Sequence, residues 1–466
     1  MTDLTCDVAV IGAGTAGLAA ERAARSQGAS TLLIDDAFAG TTCIQFGCMP
    51  SKLLIAAADA AFAARHADRF GIRPSDVEID GAAVMRRVHT LRDRFIAGVK
   101  AEFDGLPTGV KRKAFARFDG PGRLVLTSGE TITAKAIVIA TGARPSVPKF
   151  LDSVSDAVLT NETLFTLDDL PKSVGVIGAG PLGLELAQAL ARLGVDVAVF
   201  DEGDKLGGIE DAEIAKSLHN ALEAEFPIHL GVKLSAEPHG HGVALSWDGP
   251  KPGSHVFERI LAAAGRPPRL DKLGLETTGL TLDKHGMPEV NPATMQCADS
   301  PIFMAGDAAG DRPVLHEAHA EGAIAGSNAA SFPKVEPAER MTPLSIMFTQ
   351  PGLAVVGKIA KDQKTVCAVV SYADQGRAKV FATNAGVGKI HADAATGRLL
   401  HAQLVGPAVE HSAHLLALAI GQNMTATELL KMPFYHPTYE EGLKTALREI
   451  CKATGSNQDD GFMPGA

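Results

Sequence analysis

Asp7-Val-Ala-Val-Ile-Gly-Ala-Gly-Thr-Ala-Gly17 returns in outline as Ser173-Val-Gly-Val-Ile-Gly-Ala-Gly-Pro-Leu-Gly183. In both, a short apolar run enters Gly-x-Gly-x-x-Gly. An Ala/Leu-rich helical stretch follows, Leu18 to Gln27 or Leu184 to Leu193, and then a second strand-like run, Thr31 to Ile34 or Asp196 to Phe200. An acid closes each unit, Asp35 and Asp201, at the same distance from the first glycine. This is the strand-helix-strand dinucleotide fingerprint written twice. The first glycine (Gly12, Gly178) permits a tight turn and the second (Gly14, Gly180) lets backbone approach a pyrophosphate. The third (Gly17, Gly183) lets helix pack on strand, and the carboxylate accepts from ribose hydroxyls. One such motif is weak evidence; two copies in register predict an α/β fold with two Rossmann-like dinucleotide-binding domains.

At 466 residues the chain exceeds what one hydrophobic core usually supports, so roughly two to four domains are expected. The first unit spans 1–147, with a hairpin at Phe118 to Thr127 turning on Gly120-Pro-Gly122 and a buried strand in Ala136 to Gly142. The second spans 148–266 and closes with a strand at Arg259 to Ala264. Residues 267–341 carry another short apolar strand, Ile302 to Asp307, and are read as a second segment of the first unit. Over 342–466 the pattern becomes an antiparallel meander, Leu353 to Val356, Thr365 to Val370, Val387 to Ala392 and Leu399 to Val405, followed by helices. That is a third, α+β domain.

The formal charge of -10 is spread along the chain without basic blocks, which argues against nucleic-acid or membrane-surface binding and leaves small molecules or other proteins as partners. No stretch reads as a membrane span, and Met1 to Asp7 is too short and polar for a secretory signal, so the expected compartment is the cytoplasm. The six cysteines, at 6, 43, 48, 297, 367 and 451, are too sparse for a disulfide scaffold and wrongly spaced for zinc, so no metal site is expected.

Only Cys43 and Cys48 are close in sequence, in Thr42-Cys-Ile-Gln-Phe-Gly-Cys-Met-Pro-Ser-Lys52, just past the first ribose acid. Five steps of straight α-helix rise by about 7.5 Å, more than the usual Cα separation across a disulfide. A bonded pair therefore requires a distorted helix, and Gly47 provides a permissive position. Thiolate is the nucleophile of disulfide exchange, and exchange needs a base for the incoming thiol's proton. Among fifteen histidines, His436 stands out because Tyr435-His-Pro-Thr-Tyr-Glu-Glu441 sets a proline-fixed turn and two acids beside it. From residues alone a surface histidine is the plainer reading of it.

These residues together resemble the pyridine nucleotide-disulfide oxidoreductase family, in particular its dihydrolipoamide dehydrogenase branch. The likeness runs end to end, and its most specific elements are Cys-x-x-x-x-Cys-x-Pro-Ser-Lys, both fingerprints, Ala140-Thr-Gly142, Ala305-Gly-Asp307 and His436-Pro-Thr438. The resemblance implies that the first unit binds FAD, the second NAD, and the last forms a homodimer. It implies that Cys43 is the interchange thiol and Cys48 the flavin-facing one. His436, oriented by Glu441, would serve the partner subunit's cysteines, while Lys52 and Glu185 would sit by the flavin ring. The FAD site would comprise Gly12, Gly14, Gly17, Asp35, Gly40, Thr41, Thr42, Lys52, Ala116, Thr141, Gly142, Asp307 and Leu315. The nicotinamide site would comprise Gly178, Gly180, Gly183, Glu185, Asp201 and Gly265.

Three positions depart from the family pattern: Ala39 before Gly40-Thr41, Gly352 where Glu is frequent, and Phe434 where a His often stands. The expected activity is electron transfer from a protein-bound lipoyl group or small dithiol, through the cysteine pair and FAD, to NAD+. The rival is a NAD(P)H-driven reductase of another disulfide, of the glutathione type. A flavin-bearing redox sensor would need no His436-Glu441 pair, and a transhydrogenase would have no use for the cysteines.

Overall fold

The computed structural model describes residues 3–456. Its first sheet is ordered Lys111–Lys113, Thr31–Asp35, Asp3–Ile11, Thr131–Ile139, then the hairpin strands Arg123–Leu126 and Ala116–Phe118. The first four are mutually parallel. Beside the hairpin, Ile302–Met304 adds in parallel to the end of Thr131–Ile139, so a segment far along the chain completes the first sheet. The second sheet, entirely parallel, is ordered Ile228–Leu230, Asp196–Asp201, Ser173–Ile177, Arg259–Ala262, Val158–Leu159. The repeat seen in sequence is therefore a repeat of topology. In each sheet the glycine strand lies between the acid-ended strand and a later parallel one, and the glycine loop emerges at the carboxyl ends, where such sheets bind ligands.

Helices follow as the periodicity predicts, at Thr15–Ser26 and Pro181–Arg192. Two features were not anticipated. Lys233–His239, Gly242–Asp248 and Gly253–Phe257 form a separate antiparallel sheet. The last sheet is not a sequential meander: its order is Leu344–Met347, Gly352–Gly357, Leu399–Gly406, Val387–Asp393, Thr365–Ser371. All its pairs are antiparallel, but Gly352–Gly357 neighbours Leu399–Gly406 instead of the strand that follows it. Alternating burial is the same in either order, so pattern alone does not choose between them.

The expectation of no span-like stretch also needs correction. Thr42–Arg65 has the length and mean hydropathy, 1.3, of a membrane-crossing helix. It is in fact two helices, Thr42–Gln45 and Cys48–Arg65, interrupted at Phe46-Gly47. Its apolar character has a packing reason. Leu54 and Ala58 join Met85 and Val88 of helix Gly81–Asp104, Leu186 and Leu190 of helix Pro181–Arg192, and Met347 and Leu353 in one core cluster. The cluster lies where the three units meet.

Candidate active site

The two fingerprints have matching geometry. Gly12 and Gly178 take φ of +102° and +116°, and a Cβ there would stand 2.3 and 2.4 Å from the carbonyl oxygens of Ala140 and Ala263. A Cβ on Gly17 or Gly183 would strike the carbonyl of the first glycine of its loop at 1.8 or 2.0 Å. At Gly14 and Gly180 nothing lies within 4 Å of a Cβ, and neither helix has a side-chain cap. Backbone at the start of both helices is thus open to close approach, the arrangement that receives a pyrophosphate. Each acid also braces its loop: Asp35 accepts from Ala13 N at 3.0 Å, and Asp201 from Ala179 N at 2.6 Å.

The break between the helices brings the thiols together. At Gly47 a Cβ would lie 3.1 Å from the Thr42 carbonyl and 3.2 Å from Cys43 Cα, so a side chain there would crowd this tight turn. Interaction with the Cys43 thiol lowers the Cys48 pKa from 9.0 to about 6; Lys52 helps, while burial and Glu185 oppose. The same contact, with burial, pushes Cys43 up. Burial alone does the reverse elsewhere, raising Cys297 to about 12. The pair thus favours negative charge on Cys48 over Cys43.

Lys52 Nζ meets Glu185 Oε2 at 2.6 Å and lies 4.7 Å from the centre of the Phe348 ring. Glu185 opens a polar ladder along helix Pro181–Arg192 that sequence reasoning missed. Its other oxygen accepts from Phe348 N at 2.8 Å, and Gln188 exchanges two hydrogen bonds of 2.8 Å with the backbone of Gln350. Arg192, 4% exposed, binds Asp59 at 2.7 Å, Glu225 at 2.8 Å and the Gln350 side chain at 2.7 Å, with Phe62 beneath its guanidinium. The i, i+3, i+7 spacing of these residues was the available signal.

A cavity of about 310 Å³ is lined by Cys43, Cys48, Lys52 and Glu185 together with Gly14, Thr42, Gly142, Asp307 and Leu315. A second, of about 490 Å³, is lined by Gly12, Asp35, Ala116 and Thr141. Between them they hold most of the residues expected around FAD. Gly17 serves packing, as above, and Gly40 and Thr41 lie behind Thr42, where the Gly40 carbonyl accepts from Gln45 Nε2 at 3.0 Å. Arg266, which was not anticipated, reaches Asp307 at 3.4 Å from the residue after Gly265. Gly265 takes φ of +113° with nothing within 4 Å of a Cβ, and its carbonyl accepts from Ser146 N at 2.9 Å.

His436 lines neither cavity. It stands with its side chain 80% exposed, and its Nδ1 lies 3.0 and 3.1 Å from the two carboxylate oxygens of Glu441. The carboxylate fixes the ring and leaves Nε2 facing outward. Among the described residues no group of three or more His, Cys, Asp or Glu is placed to hold a metal ion.

Residues 6–322 match the sequence profile described as pyridine nucleotide-disulphide oxidoreductase, and 344–447 match the dimerisation domain of the same family. The chain belongs to the pyridine nucleotide-disulphide oxidoreductase family. It is 31% identical to a dihydrolipoyl dehydrogenase of Thermus scotoductus, covering 96% of this chain and 98% of that one. It is 30% identical to a dihydrolipoyl dehydrogenase of Bacillus subtilis, covering 94% and 97%. Among solved structures, LpdA from Mycobacterium tuberculosis superposes with a TM-score of 0.82 at 25% identity, covering 97% of this chain and all of that one. The copper(II) complex of the HOCl-induced flavoprotein disulfide reductase RclA from Escherichia coli gives a TM-score of 0.82 at 22% identity, covering 96% and 99%, a likeness of fold. The family uses FAD and NAD(H), and the open glycine loops and paired cavities of this oxidoreductase fit the first of these cofactors with the thiols at one end.

Proposed function

We propose that the protein is a dihydrolipoamide dehydrogenase-type enzyme that oxidises a protein-bound or free dithiol with NAD+. The observation that carries this reading is the placement of Cys43 and Cys48 on either side of the Gly47 break, with Lys52 beside them, in the wall of the cavity that also holds Gly14 of the first glycine loop. Residues 1–147 and 267–341 would hold FAD, 148–266 NAD, and 342–466 would pair two copies of the chain.

In the oxidised pair, an incoming thiolate attacks Cys43 Sγ and breaks its bond to Cys48. Cys48 leaves well because a low-pKa thiolate is a good leaving group. The partner subunit's His436, steadied by Glu441, takes the proton of the incoming thiol. The second substrate thiol then attacks its own sulfur in the mixed disulfide. This releases cyclic disulfide and leaves Cys43 protonated beside the Cys48 thiolate. FAD, when bound, would accept the two electrons released as Cys43 loses its proton and re-forms the disulfide with Cys48, and would pass them to NAD+. Lys52 keeps positive charge where negative charge gathers. Preference for NAD over NADP rests on Asp201, with Glu202 and Asp204 beside it in sequence, while the nearby cation Lys205 is engaged by Glu210 at 2.7 Å.

Steady-state rates decide between the two directions of flow. Turnover of dihydrolipoamide with NAD+, and none of glutathione disulfide with NADPH, supports the dehydrogenase; the opposite pattern supports the reductase.

A further inference from the structure

Pro50 creates a problem inside the redox motif. In an unbroken helix the Phe46 carbonyl would accept from the N–H of residue 50, and proline has none. The next carbonyl, Gly47, is satisfied by Ser51 N at 3.2 Å. Phe46 lies midway between Cys43 and Cys48, so an unsatisfied carbonyl there would loosen the turn that sets their separation.

We propose that Asn161 is a positioning residue for the thiol pair, holding the break between Cys43 and Cys48 through the Phe46 carbonyl. Asn161 Nδ2 donates to Phe46 O at 3.0 Å across a gap of 115 residues. The side chain is 2% exposed and lines the same cavity as both cysteines.

Its own seat is firm. Thr160 caps the short helix Asn161–Leu164, accepting from Glu162 N at 3.2 Å while its N–H donates to Thr163 Oγ1 at 2.9 Å. Glu162 is tied to Arg269 at 2.9 Å. The preceding strand, Val158–Leu159, pairs with Arg259–Ala262 in the nicotinamide-side sheet. The thiol turn is thus held from the neighbouring unit, by a residue that no part of the glycine or cysteine motifs points to.

The inference rests on Cys43 and Cys48 being the redox pair, and its test separates the two claims. Wild-type holoenzyme, Asn161→Leu, which keeps the volume and removes the donor, and Asn161→Ala are reduced anaerobically by two electrons per flavin, which opens the disulfide and leaves FAD oxidised. The long-wavelength thiolate-flavin absorbance is then titrated from about pH 5 to about pH 9. In wild type the band should appear with a midpoint near the Cys48 value of about 6. Losing the Asn161 contact should raise that midpoint by about one pH unit in whichever variants fold, with FAD content unchanged. Variants that melt earlier yet titrate with wild type show a merely structural role and overturn the proposal. A wild-type holoenzyme with no such band overturns the redox-pair reading, and this inference with it.

Discussion

Lys52 and Glu185, 133 residues apart, meet at 2.6 Å beside the thiols, and the two charges act on Cys48 in opposite directions. Lys52 draws the thiolate out, while Glu185, 5% exposed, pushes against it and at the same time fixes the ammonium. The cation is therefore supplied by the first dinucleotide unit and aimed by the second.

Replacing Lys52 by Met removes the favourable charge and leaves Glu185 opposed only by the Phe348 amide. The Cys48 pKa should rise from about 6, and a thiolate exists only above its pKa, so the long-wavelength band of reduced holoenzyme should vanish at higher pH than in wild type. Because the pair is partly solvated, the stability cost should be about 2 kcal/mol, read from thermal melts. An unmoved titration would show that Lys52 does not act on Cys48.

Cys48→Ser should still bind FAD, since the glycine cradle is untouched, but should lack that band at every pH. Cys43→Ser should keep a thiolate at Cys48, because a hydroxyl is a stronger hydrogen-bond donor than the thiol it replaces and can still support negative charge on that sulfur. Spectra of the two variants with FAD oxidised distinguish the sulfurs.

His436→Gln should lower kcat for dithiol oxidation by about 100-fold or more, while NADH oxidation by an artificial electron acceptor, which needs no thiol proton, continues. Glu441→Gln should show the same split to a smaller degree. Equal loss of both activities would place His436 in folding or assembly.

Arg192→Leu would strand Asp59 and Glu225 at a junction where the guanidinium is almost wholly buried. The expected loss is about 3 kcal/mol, seen as a lower melting temperature. A simultaneous loss of the Lys52-dependent titration would show that the ladder aims the cation.

Asp201→Asn should narrow the preference for NAD over NADP by about tenfold in kcat/KM, since one repelling charge is gone. Because Asp201 also accepts from Gly203 N at 2.7 Å, some loss of absolute affinity for NAD should accompany it.

What sequence disclosed and what it hid divide along the range of the interactions. The glycine loops were legible because each glycine answers a constraint within a few residues: a positive φ, a helix against a strand, an open approach. The need for a broken helix between Cys43 and Cys48 was legible for the same reason. Arg192, Gln188 and Asn161 were not, since a polar residue on a helix reads as solvated until the fold brings Gln350 or Phe46 against it. His436 sits between these cases. Its acid partner is local, whereas the sulfurs it would serve belong to another copy of the chain.

The ladder of Glu185, Gln188 and Arg192 fastens the nicotinamide-side helix to the loop at 348–350 along two full turns. A lobe riveted in this way has no hinge on that side, so a dinucleotide bound there as proposed would leave by local opening and not by a swing of the whole lobe.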